Sequence, residues 1–115
     1  MDKLENINVE IRQIQTRQED LIAEKRSIAE GQDQLTNLRH REQQFYQELL
    51  STNDESASVI QTYEDEASIL DQKAQTLLAD KAEALKKEQR KLIEQEEVLY
   101  AKRKRLIMEE QAHES

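Results

Sequence analysis

Two single-file columns of apolar side chains, one in each half of the chain, constrain its fold more than any other feature. In both columns an Ile or Leu recurs at every seventh position of an otherwise polar sequence: Ile7, Ile14, Leu21, Ile28 and Leu35, then Leu78, Leu85, Leu92, Leu99 and Leu106. Seven residues are close to two helical turns, so each column follows one straight line along a helix. The columns therefore predict two long helices that pair through a narrow seam.

The composition favours long helices over other folds. The 115 residues include no Pro, one Gly and 37% charged residues, with three Tyr and one Phe as the aromatic residues. A chain of this kind has too few apolar side chains for a thick core, whereas Glu, Gln, Lys, Leu and Ala cost little in a helix. We predict a single all-α domain over residues 1–115.

The break between the helices is predicted at residues 51–56, where Ser, Thr, Asn and Asp side chains compete with helical backbone hydrogen bonds. The prediction is a long antiparallel two-helix hairpin, a coiled coil. Its elements are helix one over about 3–50, a turn at about 51–54 and helix two over about 53–111.

The spacing of the columns permits antiparallel registers whose turn is centred at 49.5, 53 or 56.5, and the middle value falls on Asn53, within the predicted break. In the register centred on Asn53, the facing pairs are Ile7 with Leu99, Ile14 with Leu92, Leu21 with Leu85 and Ile28 with Leu78. Leu106 is left beyond the end of helix one.

A second group of apolar residues lies next to the predicted turn. Helix two contributes Val59, Ile60, Tyr63, Ile69, Leu70, Ala74, Leu77 and Leu78, and late helix one contributes Leu35, Leu38, Phe45, Leu49 and Leu50. Their mixed spacings of three and four are typical of a packed helical face. We predict that residues 59–78 form the best-packed part of the hairpin.

The positions that would complete a two-column seam are mostly polar. In helix two, two sets of positions could form the companion column: Lys81, Glu88, Gln95 and Lys102, or Ala82, Gln89, Glu96 and Arg103. In helix one, the companion column begins with the apolar residues Leu4 and Ile11 and continues with the polar residues Gln18, Lys25, Gln32 and Arg39. A simple leucine-zipper homodimer would bury these charges, so the hairpin is the better solution. Whether the chain forms homo-oligomers when no partner protein is present remains an open question at this point.

Further apolar and basic residues beside the second column predict a surface that binds a partner. The predicted partner-binding residues are Ile93, Leu99, Tyr100, Leu106, Ile107, Lys102 and Arg103. Two interpretations remain open: these residues widen the seam within the molecule, or they receive a helix of another protein. Exposure of Ile93, Tyr100 and Ile107 would favour the second interpretation.

The charges are unevenly distributed along the chain, whose net charge is −8. Between Arg41 and Lys73 there are eight acidic residues and no Lys or Arg, whereas residues 102–105 are all basic. Four consecutive helical residues spread around the helix and do not form the basic face that nucleic-acid binding requires. We predict no nucleic-acid binding.

No constellation of residues predicts catalysis or metal binding. The chain has no Cys, and Glu110 with His113 forms one Glu-x-x-His pair where a helical di-iron site needs two. We therefore predict no enzyme activity, no catalytic residue, no metal and no cofactor. Because the sequence has no long apolar run and no signal-peptide h-region, we expect a cytoplasmic protein that does not insert into a membrane. Co-secretion with a partner, without a cleavable signal peptide, remains an open alternative.

One segment of helix two resembles a known family. Residues 97–106 read EVLYAKRKRL, similar to the aromatic-then-basic ending of small helical proteins encoded beside LXG toxins in Gram-positive bacteria. The length, the lack of Cys, the charged hairpin pattern and the Phe45–Tyr46 pair are also similar. These Lap-type proteins are targeting factors that resemble WXG-type secretion proteins in shape. WXG-type proteins have a Trp-x-Gly turn, which this chain lacks. It is therefore similar to the related type of small helical protein whose turn is polar.

The resemblance implies an adaptor that binds the helical LXG domain of a toxin and promotes its export by a type VIIb secretion system. A second small targeting protein could share the complex. It also implies that Leu99, Tyr100 and Leu106 take part in docking. Two other functions fit the hairpin pattern: a type III secretion or flagellar export stalk protein, and a self-associating structural coiled-coil scaffold.

Overall fold

The computed structural model is a hairpin of two long α-helices, which confirms the predicted fold class. Helix α1 spans Lys3–Thr52, a short 3₁₀ turn spans Asp54–Ser56 and helix α2 spans Ala57–Glu114. The structure describes residues 2–52 and 54–114, so Asn53, on which the predicted register is centred, lies outside the described residues. Both ends of the predicted turn shift, because α1 continues to Thr52 and α2 begins at Ala57.

Side chains at both ends of α1 form hydrogen bonds with its backbone. The carboxylate of Asp2 accepts a hydrogen bond from the backbone N–H of Leu4 (3.2 Å), which is the role of an N-cap residue. At the other end, the hydroxyls of Ser51 and Thr52 donate to the carbonyl of Glu48 (2.7 and 3.1 Å). Two of the residues that predicted a turn, Ser51 and Thr52, therefore belong to the last turn of α1, since their hydroxyls bond back along the helix.

Contacts within the chain define two compact units, each with a segment of both helices. Unit 1 comprises Met1–Lys25 and Ala84–Ser115, and unit 2 comprises Arg26–Glu83. The single domain proposed for residues 1–115 remains a prediction.

The seam of unit 1 contains most of the fully buried residues of the described chain. Leu21 is 1% exposed, and Ile11, Leu85 and Leu99 are also buried. The other predicted seam residues, from both units, are half-buried: Ile7, Ile14, Ile28, Leu35, Leu78 and Leu92. The hydrophobic contribution to the free energy of unfolding is therefore concentrated at a few positions. Each fully buried side chain contributes about 1.5–3 kcal/mol.

Leu106 does not lie beyond the end of helix one. It is half-buried and lines one concavity together with Ile7 and Leu99. Ile7 thus packs between two successive Leu residues of the facing column, whereas the predicted register set it opposite Leu99 alone. A side chain in paired helices inserts into a hole between residues of the other helix, which explains the difference.

The polar companion positions are part of the seam, and three of them form hydrogen bonds across it. In α2 the half-buried companions are Ala82, Gln89, Glu96 and Arg103, which decides between the two sets that the sequence left open. Lys25 donates to the Gln89 side-chain oxygen (2.9 Å), and Arg103 donates to the Asn8 side-chain oxygen (3.4 Å). Amide and cation pairs therefore fill positions where a coiled coil would ordinarily carry apolar residues.

Arg17 forms the best-organised ion pair among the described residues. Its Nε and Nη2 donate to the two carboxylate oxygens of Glu88 (2.7 and 2.9 Å), and its Nη1 donates to Glu24 (3.0 Å). These hydrogen bonds raise the pKa of Arg17 and lower the pKa of Glu88. The two-point geometry adds specificity of orientation to the contact between α1 and α2 in this part of unit 1, and because both side chains are more than one-third exposed it adds little stability.

Substituting Arg17→Gln should raise the pKa of Glu88 towards the ordinary value of 4.5, because the guanidinium that stabilises its charged form is removed. In the wild-type protein this pair stabilises the fold above pH 4.5, and the contribution is lost as the pH falls through the lowered pKa of Glu88. Titration of the Glu88 carboxyl signal by NMR measures the shift. Lys87→Gln, which removes a neighbouring exposed charge, should leave that pKa lower than Arg17→Gln does; equal values would contradict the assignment.

The prediction that residues 59–78 pack best is wrong. Ile60 is buried, but Tyr63, Leu70 and Leu77 are all more than half exposed. The seam of this part of α2 consists of residues that are buried or half-buried: Ala57, Ile60, Glu64, Ala67, Asp71, Ala74 and Leu78. Since two paired helices cover only a narrow line of each other, the side chains immediately beside that line stay exposed.

Candidate docking surfaces

The predicted docking residues Ile93, Tyr100 and Ile107 remain exposed on α2. Tyr100 is 36% exposed, and the two Ile side chains are slightly more exposed. Their spacing of seven places them on one line along the helix, beside the buried column that contains Leu99. They therefore form a partly exposed apolar line on one flank of unit 1.

Ile22 of α1 belongs to the same flank. The side chain of Gln15 donates a hydrogen bond to the Tyr100 hydroxyl (3.1 Å), which pairs these two positions across the hairpin. In an antiparallel pair, seven residues forward along α1 correspond to seven back along α2, so Ile22 lies on the same flank as Ile93. Ile22 is more than half exposed. We call Ile22, Ile93, Tyr100 and Ile107 the unit 1 strip.

Tyr100 is held in place by two neighbours before any partner binds. Gln15 bonds its hydroxyl, and the guanidinium carbon of Arg103 lies 4.7 Å from the centre of its ring. Arg103 also donates to Asn8. A cation over an aromatic face contributes about 0.5–1 kcal/mol at an exposed site. An ordered aromatic side chain loses little entropy when a partner covers it, so Tyr100 is suited to anchor a docked helix.

The remaining predicted docking residues do not share this flank. Leu99 is 7% exposed and lies in the seam, which is the other role predicted for it, and Leu106 is half-buried beside Ile7. Lys102 is exposed and lines concavities with Ile14 and Leu99. Because it follows Tyr100 by two residues, about 200° around the helix, it faces away from the strip. Arg103 is thus the basic residue that contacts the strip directly.

A second exposed apolar surface lies in unit 2. Leu38, Leu70 and Leu77 form the walls of a groove whose floor contains Leu35, Ala67 and Ala74. Phe45 follows Leu38 by seven residues and Tyr63 precedes Leu70 by seven, so both extend the same walls. Both aromatic side chains are more than half exposed, and the Phe45 ring meets that of Tyr46 edge to face at 5.8 Å. We call this surface the unit 2 groove.

Within residues 2–52 and 54–114, no three His, Asp or Glu side chains are grouped so that they could hold a metal ion. Over the same residues, no helix combines the length and apolar character needed to cross a membrane. The chemistry available at both surfaces is burial of apolar side chains with charged groups around them.

A family model described as "Protein of unknown function (DUF3958)" matches residues 2–106. The chain belongs to this family. No curated protein and no solved structure matches it. The DUF3958 match covers all of unit 2, and in unit 1 it includes Ile22, Ile93 and Tyr100 but ends before Ile107. Both candidate surfaces therefore lie largely within the DUF3958 segment.

The unit 2 groove of this DUF3958 protein was missed by sequence reasoning, which assigned its residues to the core. A usable signal is present: Tyr63, Leu70 and Leu77 repeat with a spacing of seven. Each also directly precedes a seam position, namely Glu64, Asp71 or Leu78. Two adjacent columns cannot both face one partner helix, so one of them must lie on a flank.

Proposed function

We propose that this DUF3958 protein is a non-enzymatic helical adaptor that binds the helical LXG domain of a secreted toxin and promotes its export by a type VIIb secretion system. The observation that carries the proposal is the unit 1 strip, in which Tyr100 is oriented by Gln15 and Arg103 while Ile93 and Ile107 stay partly exposed. The sequence resemblance of residues 97–106 to Lap-type targeting factors supports the toxin as partner.

The strip suits a helical partner better than a small ligand. Its α2 residues recur at every seventh position, which matches the line of contact of another helix. Burying what remains exposed of these four side chains would yield about 4 kcal/mol, whereas micromolar affinity requires about 8 kcal/mol. The partner must therefore contact more of the adaptor than the strip, as a bundle of helices would.

Mixing the protein with a purified LXG domain tests the proposal. Wild-type protein should co-elute with the domain, and isothermal titration should show that Ile93→Glu with Ile107→Glu weakens binding at least about tenfold, since charges would replace the apolar contacts. Both sites are partly exposed, so circular dichroism should show unchanged helicity.

The matched control is Val9→Glu with Val98→Glu, which also adds two charges at exposed apolar positions of unit 1. Val98 precedes Tyr100 by two residues and therefore points away from the strip. The control should bind the LXG domain as the wild type does. Equal losses in the two double variants would remove the strip from the proposal.

Other outcomes would favour the other functions. Concentration-dependent self-association that ignores the LXG domain would support a scaffold, and stimulation of an export ATPase would support a stalk protein. An LXG toxin gene in the neighbouring reading frame supports the adaptor. In cells, we propose that the protein binds its cargo in the cytoplasm, and detection of a tagged chain in the medium together with the toxin would establish co-secretion.

A further inference from the structure

We propose that the unit 2 groove is a second docking site, and that it receives an amphipathic helix of a protein partner whose apolar face is flanked by Lys or Arg residues. This site uses none of the residues of the unit 1 strip. The inference goes beyond the proposed function in two respects. It assigns a surface separate from the unit 1 strip, and it assigns that surface a preference for positively charged partners, whichever toxin is the cargo.

The exposed apolar side chains of the groove give the first argument. Leu70 is 67% exposed and Leu77 nearly as much, while Leu38 completes the walls from α1. Their neighbours in the seam are Ala67 and Ala74, whose small side chains leave a depression between the walls. Apolar walls around a floor of small residues allow a Leu or Ile side chain from a third helix to enter.

The dimensions of the groove fit a helix. Tyr63 and Leu77 are 14 residues apart on one continuous helical segment, which corresponds to about 21 Å along its axis. A partner helix of about four turns covers that length. Its contact residues would recur with alternating spacings of three and four, which add up to the spacing of seven along the walls of the groove.

The charge of unit 2 indicates which helix fits. By sequence, unit 2 contains 12 acidic and five basic residues, a formal charge of −7, whereas unit 1 contains 13 acidic and 12 basic residues, a charge of −1. Nearly all the net charge of the chain is therefore in the unit that carries the groove. A partner with Lys or Arg beside its apolar face gains from this field, and an acidic partner is repelled.

Local charges at the groove agree with this preference. Glu42 and Asp71 line it, and the cation between them, Arg39, has a side chain only 15% exposed and lies 3.7 Å from Glu42. Lys81 lines the end of the groove near Leu77. The carboxylates therefore dominate around Leu70, which is where flanking Lys or Arg residues of a partner would pair.

A second copy of the chain is a poor occupant when its unit 2 faces the same surface. Two such units would bring −7 against −7. The same apolar contact with a basic-flanked helix brings opposite charges together, so the two arrangements differ in the sign of their electrostatic energy.

The test uses three synthetic helical peptides of about four turns and the full-length protein. The first peptide carries Leu on one face with Lys beside it, the second has Glu in place of Lys, and the third keeps Lys but has Ser in place of Leu. The first peptide should bind, and added NaCl should weaken its binding because the flanking charges are screened. The second and third should bind at least about tenfold more weakly.

Leu70→Glu with Leu77→Glu should reduce binding of the first peptide at least about tenfold. The matched control is Ile69→Glu, since Ile69 is 53% exposed but lies about 100° around α2 from Leu70 and does not line the groove. All three sites are exposed, so circular dichroism should confirm that both variants keep the wild-type helicity.

Four results would overturn the inference: equal binding of the Lys and Glu peptides, equal binding of the Ser peptide, an equal loss in Ile69→Glu, or loss of binding only in the unit 1 strip variant. Self-association of the wild type that Leu70→Glu abolishes would make a second copy the occupant and would also overturn it. Because the probe is a peptide, these results are independent of whether the LXG domain binds.

Discussion

Substituting Leu21→Ala is expected to lower the free energy of unfolding by about 2–5 kcal/mol, the range for a buried Leu that leaves a cavity behind. Leu21 is 1% exposed, the lowest exposure among the described apolar residues. The seam has few other fully buried side chains to compensate for the loss. Urea denaturation followed by circular dichroism measures the effect as a lower midpoint.

The neighbouring residue provides the control for this prediction. Ile22 is 55% exposed, so Ile22→Ala should change the free energy of unfolding by less than about 0.5 kcal/mol. The same variant should weaken binding of an LXG domain, because Ile22 belongs to the unit 1 strip. If Ile22→Ala destabilised the protein as much as Leu21→Ala, the assignment of seam and flank in unit 1 would be wrong.

Leu99→Asp is expected to destabilise unit 1 by at least about 3 kcal/mol, because it buries a carboxylate without a partner. Leu99 is buried against α1, next to Ile7 and Ile14 in the concavities of the seam. Urea denaturation and hydrogen exchange of the amides in residues 84–115 should both detect the loss. Added salt should not restore the stability, since the cost arises from desolvation of the carboxylate.

Tyr100→Asp is the matched comparison for Leu99→Asp. Tyr100 is partly exposed, and its substitution removes the Gln15 hydrogen bond and the Arg103 contact while leaving the seam intact. It should lower stability by about 1–2.5 kcal/mol, the sum for one hydrogen bond and one cation contact, and therefore by less than Leu99→Asp does. Binding of the LXG domain should nevertheless fall. A variant Leu99→Asp that remained as stable as Tyr100→Asp would contradict burial of Leu99.

The sequence predicted the hairpin and most of its seam. The absence of Pro, the strong helix formers and the strict spacing of Leu21, Leu85 and their column neighbours leave little choice but two long paired helices. The positions at which the helices end were predicted less accurately. Hydroxyl residues such as Ser51 favour a turn in isolation, yet in the structure they bond back to Glu48 and extend α1.

The docking surfaces were predicted unevenly. Exposure of Ile93 and Tyr100 agrees with the interpretation in which another helix is received, although partner binding itself remains a proposal. For the region next to the turn the prediction was wrong, because side chains predicted to lie in the core are exposed. Tyr63, Leu70 and Leu77 have the composition and spacing of a core, but each lies one residue away from the position that faces α1.

The sequence by itself determined two helices, their pairing in one chain and the scarcity of apolar side chains to cover both, because these follow from composition and from a spacing of seven. Only the tertiary structure decided which apolar residues face the partner helix. Adjacent residues differ by about 100° around a helix, so only a rotation of that size would exchange the roles of Leu21 and Ile22, or of Leu70 and Asp71. The observed rotation is set by contacts across the hairpin between residues far apart in sequence, which bury Leu21, Leu85 and Leu99 and place Gln15 beside Tyr100.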